Sequence, residues 1–162
     1  METYPPALIP EWVCSDINKS LSFYTEVLGF VVLYQRPEEG FAMIERQTAR
    51  IMLDQNNLSG SNTNLRTWIA APLEKPYGRG INLQIRTDDV ESLYERVQER
   101  NEPIFLPIET KWYRVNDVMF GSKQFIVLDP DGYLLRFFES LGENSLPVHT
   151  NFQKFSDKHG RS

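Results

Sequence analysis

The chain has 162 residues, a formal net charge of −5, 41% hydrophobic and 12% aromatic residues, and one cysteine. That length buries roughly two-thirds of the unfolded surface, enough for one domain or two small modules on a shared core. An acidic balance without a basic run argues against a nucleic-acid surface and favours, weakly, a cationic small ligand.

No apolar run approaches the roughly 18 residues that span a bilayer. Met1 to Pro10 lacks the basic start and apolar centre of a signal peptide. The lone Cys14 has no internal disulfide partner and reads as a small apolar strand residue. The expected location is cytoplasmic.

In chain order, Ala7 to Cys14 reads as a strand. Asp16 then supplies an N-cap for a helix with Ile17, Leu21, Tyr24 and Leu28 on one face, and Gly29 stops it. Phe30 to Gln35, Phe41 to Glu45 and Arg50 to Asp54 follow as short strands, so residues 1–54 form a βαβββ module. Residues 55–80, polar at first and containing Trp68, read as a linker and candidate lid. Ile81 to Arg86 is again a strand. Asp88 or Asp89 caps a helix carrying Val90, Leu93, Tyr94 and Val97, and Asp88 has capping-box spacing to Glu91.

A strand at Pro103 to Leu106 leads into a long loop holding Lys111, Trp112, Tyr113 and Arg114. Strands at Phe125 to Leu128 and Tyr133 to Glu139 flank Asp129-Pro130-Asp131-Gly132, a tight hairpin in which proline sets the first corner and glycine accepts a positive φ. Residues 81–141 are thus a second βαβββ module, and 142–162 a polar tail. Superposing Asp16 on Asp89, 73 residues apart, aligns Ile17 with Val90 and Tyr24 with Val97, which a duplicated unit explains economically.

The stretch Val13-Cys-Ser-Asp-Ile-Asn-Lys-Ser-Leu-Ser-Phe-Tyr-Thr-Glu-Val-Leu-Gly-Phe30, with Asp129-Pro-Asp-Gly132, resembles the vicinal oxygen chelate superfamily of glyoxalases, dioxygenases and bleomycin-resistance proteins. The resemblance implies an α+β fold: two βαβββ modules whose curled mixed sheets enclose a shared cavity. Its enzymes hold a divalent metal through four side chains, and the matching positions here are Ile9, Met52, Asn82 and Arg136. Isoleucine offers no donor, a thioether suits soft metals, and a guanidinium repels a cation.

That set points to the bleomycin-resistance branch, whose members resemble this chain further through Phe41 to Leu53. The resemblance implies a homodimer that binds a drug in an interface groove without turning it over. No metal and no cofactor are expected. The alternative is a metal-dependent enzyme of the same superfamily (a lyase, dioxygenase or thiol transferase) with non-standard oxygen donors Glu11, Asp54 and Glu139. A third reading has no small ligand at all, the cavity being filled by Arg136 and its neighbours.

Strand alternation extends the cavity set, because residues two apart share a face. Glu11 goes with Ile9, Asp54 with Met52, Gln84 and Arg86 with Asn82, and Leu134 and Phe138 with Arg136. The opposite phase, Ile51, Leu53, Ile81, Leu83, Ile85, Leu135 and Phe137, is apolar and should pack under the helices. Glu11 and Arg136 are an expected ion pair, either structural or ligand-binding. Phe41, Trp68, Trp112, Tyr113 and Phe120 are candidates to stack on a planar ligand or to pack as core or lid. Trp112 leads because it sits among polar loop residues. Glu38, Glu39 and Asp117 are candidates to steer a cationic ligand. The chain contains no GxSxG, HExxH, CxxC or phosphate loop.

Overall fold

The computed structural model describes residues 6–56 and 69–145. Trp68 and most of the 142–162 tail lie outside the described residues.

The first module runs β1 (Glu11–Cys14), α1 (Ile17–Ser22), β2 (Val31–Arg36), β3 (Phe41–Arg46) and β4 (Ala49–Gln55). One turn of π-helix, Phe23–Val27, continues α1. The second runs β5 (Asn82–Arg86), α2 (Val90–Glu99), β6 (Ile104–Val115), β7 (Val118–Leu128) and β8 (Leu134–Ser145). The sheets have the orders β1-β4-β3-β2 and β5-β8-β7-β6, so each is the other's repeat. In both, the first strand pairs in parallel with the last and the remaining pairs are antiparallel.

The duplication is visible at the helix caps. Asp16 is extended at φ −148° and accepts from the Asn18 and Lys19 amides, while Asp89 at φ −143° accepts from the Ser92 amide. Each satisfies donors that the first helical turn leaves open. Asp89 is therefore the second cap, and the Asp88–Glu91 box read from spacing is not the one used.

The apolar phase packs as expected. Ile51, Leu53, Ile85, Leu135 and Phe137 are all buried, in one core cluster with Tyr24, Leu28, Val90, Leu93 and Val97. Each such side chain contributes roughly 1.5–3 kcal/mol of hydrophobic transfer. Leu83 is half-buried against the same cluster, and Ile81 is 47% exposed, because β5 begins only at Asn82.

The modules are joined through the hairpin. Gly132, at φ +92°, closes the turn by donating its amide to the Asp129 carbonyl at 3.0 Å. Asp129 Oδ1 accepts from the Asp131 and Tyr133 amides, and its Oδ2 from the Tyr24 hydroxyl at 3.0 Å. Asp131 Oδ2 accepts from the Ser15 amide at 2.9 Å. Trp12 stacks on Tyr133 with ring centroids 4.8 Å apart. The linker lies along the same turn, with the Tyr77 amide on the Asp131 carbonyl and Lys75 Nζ 3.0 Å from Asp131 Oδ1, an ion-pair contact off-axis for a hydrogen bond.

Several strand limits differ from the sequence expectation, among them the start of β7, at Val118 instead of Phe125. β1 starts at Glu11, and β8 runs on to Ser145. The Lys111–Arg114 loop is strand: β6 is continuous through Val115 and pairs Trp112 with Gly121 and Tyr113 with Phe120. Cross-strand pairing overrides its polar composition. The two sheets also remain separate and unclosed, so a single chain does not itself enclose the cavity.

Candidate functional site

Register sets the site. Glu11 stands opposite Met52 in the first sheet, and Gln84 opposite Arg136 in the second. Met52 and Arg136 are therefore equivalent positions of the repeat, each on the sheet face turned away from the core.

On the first sheet this face carries Glu11, Phe41, Met43, Met52 and Asp54, with Met43 paired to Met52 and Phe41 to Asp54. Glu11 is exposed and Asp54 is 2% exposed. The Phe41 ring is already covered, by the Arg36 guanidinium 4.0 Å from its centroid and by Tyr34 stacked at 6.0 Å. Arg36 also pairs with Glu39 at 2.6 Å, so that acid is engaged in its own loop.

On the second sheet the face carries Asn82, Gln84, Arg86, Tyr113, Phe120, Ser122, Gln124 and Arg136. Arg136 Nη2 donates to Gln84 Oε1 at 2.8 Å. Gln124 Nε2 donates to Glu109 Oε1 at 2.9 Å and to the Tyr113 hydroxyl at 2.8 Å. Gln124 is 3% and Ser122 7% exposed.

The sequence-derived candidates thus fall into two groups on two sheets, and Trp112 joins neither. Its ring sits over Gly121 beside Leu141, on the opposite side of the strand from Tyr113. Glu139 is also elsewhere, its Oε2 accepting from the Val90 amide at the start of α2. The expected Glu11–Arg136 ion pair is not formed: the residues lie on different sheets, and Arg136 is held by Gln84. Ser122, Gln124 and Glu109 were missed. Their signal was available in the two polar residues two apart that lead into the apolar run Phe125 to Leu128.

Among the described residues no three His, Cys, Asp or Glu side chains converge closely enough to hold a metal ion. The side chains of Ile9, Met52, Asn82 and Arg136 do not make a site for one either. The perturbed titrations lie at the module junction instead. Burial raises the Asp129 carboxyl despite its hydrogen bonds. Burial pushes the Asp131 carboxyl up as well, but the hydrogen bond from Ser15 and the adjacent Lys75 ammonium outweigh it and leave the group below the ordinary range. Burial and Asp129 together hold the Tyr24 phenol well above its usual value. This junction fastens the two modules and the linker together. A cleft of about 500 Å3 beside it, lined by Lys19, Glu26, Arg100 and Pro130, is not on either open face.

Residues 11–137 match the model of the Glyoxalase/Bleomycin resistance protein/Dioxygenase superfamily. Bleomycin resistance proteins of Geobacillus stearothermophilus and Staphylococcus aureus are 27% identical over 137 residues, covering 82% of this chain and 96% of theirs. Among solved structures, TioX from Micromonospora sp. ML1 superposes with a TM-score of 0.60 at 18% identity, over 83% of this chain and 98% of that one. A glyoxalase/bleomycin resistance protein/dioxygenase from Nocardioides gives 0.60 at 20% identity, over 93% of both chains. Lactoylglutathione lyase from Agrobacterium tumefaciens gives 0.53 at 16%, over 85% of this chain and 96% of that one, so the shared fold serves an enzyme as well.

Proposed function

Because this chain belongs to the Glyoxalase/Bleomycin resistance protein/Dioxygenase superfamily, we propose that it is a metal-independent small-molecule binding protein of the bleomycin-resistance type. It sequesters a planar or cationic compound in a groove between two copies of the chain in the cytoplasm, and so confers antibiotic resistance by binding without chemistry. The observation that carries this reading is Arg136, a fixed cation paired in register with Gln84 at the position equivalent to Met52. A divalent ion beside that guanidinium would be repelled.

The homodimer rests on two features. Each open sheet face exposes apolar side chains, Val31 and Tyr34 on the first at 58% and 49%, Tyr113 and Val115 on the second at 39% and 47%. The faces also differ in charge, with Glu11 and Asp54 on one and Arg86 and Arg136 on the other. Mating the first sheet of one copy to the second sheet of another covers the apolar surface and sets opposite charges across a shared groove. A cationic, planar ligand then lies toward Glu11 and stacks on Tyr113 or Phe120.

Titration calorimetry with metal-free and copper-loaded bleomycin tests the binding claim, with one site per protomer expected. No heat at micromolar protein removes the drug. Elemental analysis after purification without chelator should give less than about a tenth of an equivalent of Mn, Fe, Ni or Zn, and a stoichiometric metal would replace this reading with the catalytic one. Sedimentation reads the dimer.

A further inference from the structure

Resting on the groove-binding reading, and deepening it, we infer that the second sheet recognises a carboxylate with a neighbouring N–H, so that the compound bound is acidic at its Arg136 end.

Four side chains make the case. Arg136 is half-buried, and of its five N–H donors one is spent on Gln84 Oε1. Its Nε is shut away from solvent without an acceptor. Among the described residues it forms no ion pair, and Glu109, on the same face, accepts from Gln124. A half-buried guanidinium without a counter-ion is costly, and a carboxylate is the group its planar fork fits.

Gln124 is 3% exposed and spends both described bonds through Nε2, leaving Oε1 buried with no donor. Ser122 is 7% exposed and its hydroxyl is unpartnered as well. Gln124 pairs with Phe138 and Ile126 with Arg136, so Gln124 and Arg136 are diagonal neighbours on one face. That places their backbones roughly 7–8 Å apart across the two strands, close enough for one ligand to reach both side chains with a carboxylate and the amide N–H one carbon away from it. Arg86, exposed two residues beyond Gln84 on the same face, adds a second cation. Orphaned acceptor and orphaned donor thus sit side by side, and an N-acyl amino-acid group supplies the partner of each.

The test uses the full chain and hippurate, which has a carboxylate, an adjacent N–H and a planar ring. In a nitrogen–proton NMR titration the Arg136 Nε–H and the Gln124 side-chain amide should shift saturably. Hippurate methyl ester should bind about tenfold more weakly. Arg136→Gln should weaken hippurate by a similar factor and leave the ester unchanged. Arg136→Lys, which keeps the charge and loses the fork, should fall between. Equal affinity for acid and ester, or shifts confined to other residues, overturns the inference. Hippurate binding in Glu11→Gln but not in the wild type overturns it too, because Glu11 of a second copy is then the counter-ion. The two readings separate cleanly. Bleomycin binding without hippurate shifts at Arg136 keeps the groove and rejects its acidic recognition. Hippurate shifts without bleomycin binding do the reverse.

Discussion

Asp131 fastens three parts of the chain, and its removal has a calculable cost. The carboxylate is buried, accepts from the Ser15 amide at 2.9 Å and lies 3.0 Å from Lys75 Nζ, tying the first module and the linker to the hairpin of the second. A hydrogen bond to a charged group contributes about 1.5–3 kcal/mol. The Lys75 side chain is 55% exposed, so solvent screening limits that ion pair to less than about 1 kcal/mol. Asp131→Ala, which also strands the Ser15 amide, should therefore cost about 2–4 kcal/mol, or roughly 5–10 °C in Tm for a domain of this size. Asp131→Asn keeps an acceptor, and should cost about 1 kcal/mol.

The pH dependence sharpens the test. The folded state holds Asp131 below its ordinary value, so the stabilisation is complete above the unfolded pKa and is lost as pH falls through the folded one. The gap between wild type and Asp131→Asn should be full at pH 7 and close progressively below about pH 4. Asp129, raised by burial, contributes the opposite slope: its share of stability declines as pH rises from the unfolded to the folded value. It is present in both proteins, and only the small part of its shift that the Asp131 charge causes differs between them. Urea unfolding across this range reads the gap. Asp131→Ala within about 0.5 kcal/mol of wild type, or an Asparagine gap that does not narrow in acid, would refute the fastening.

Two further outcomes follow from the same packing. A Cβ on Gly78 would meet Tyr133 Cα at 2.5 Å and the Gly132 carbonyl at 2.7 Å, both backbone, so Gly78→Ala should cost about 1–3 kcal/mol by lifting the linker off the hairpin, read by urea unfolding. Burial pushes the Cys14 thiol up to about 12, so at pH 8 only about one molecule in ten thousand carries a thiolate, and labelling by a disulfide reagent should track global unfolding and not a fast native phase.

The fold was legible because its strongest signals are local. Asp16 and Asp89 mark both helix starts, and the Asp129–Gly132 turn fixes the final hairpin, each through bonds made within a few residues. Apolar alternation then assigned Leu53, Ile85, Leu135 and Phe137 to the core side, because a strand has only two faces. What escaped was long-range. Trp112 looks like a loop residue beside Lys111 and Arg114, yet it is a strand residue seated over Gly121, a notch that exists only after β6 and β7 pair. The same pairing brings Gln124 to Tyr113 and Glu109, fifteen or fewer residues away in sequence but joined only through the β6–β7 register. The Glu11–Arg136 pair failed for a related reason: shared phase says which face a residue occupies, not which sheet that face meets.

The two halves of the repeat have diverged on one face only. Their core sides keep the same cap, the same strand order and the same apolar phase, as mutual packing requires. Their open sides do not match: Glu11 and Met52 on the first correspond to Gln84 and Arg136 on the second. Packing does not demand that difference, since each open face lies outside the core cluster. A duplicated sheet that only filled space would have no reason to place an acid in one half and an arginine in the other. The asymmetry is the property a groove needs to tell the two ends of a bound molecule apart, because opposite charges across one groove orient a ligand as well as hold it.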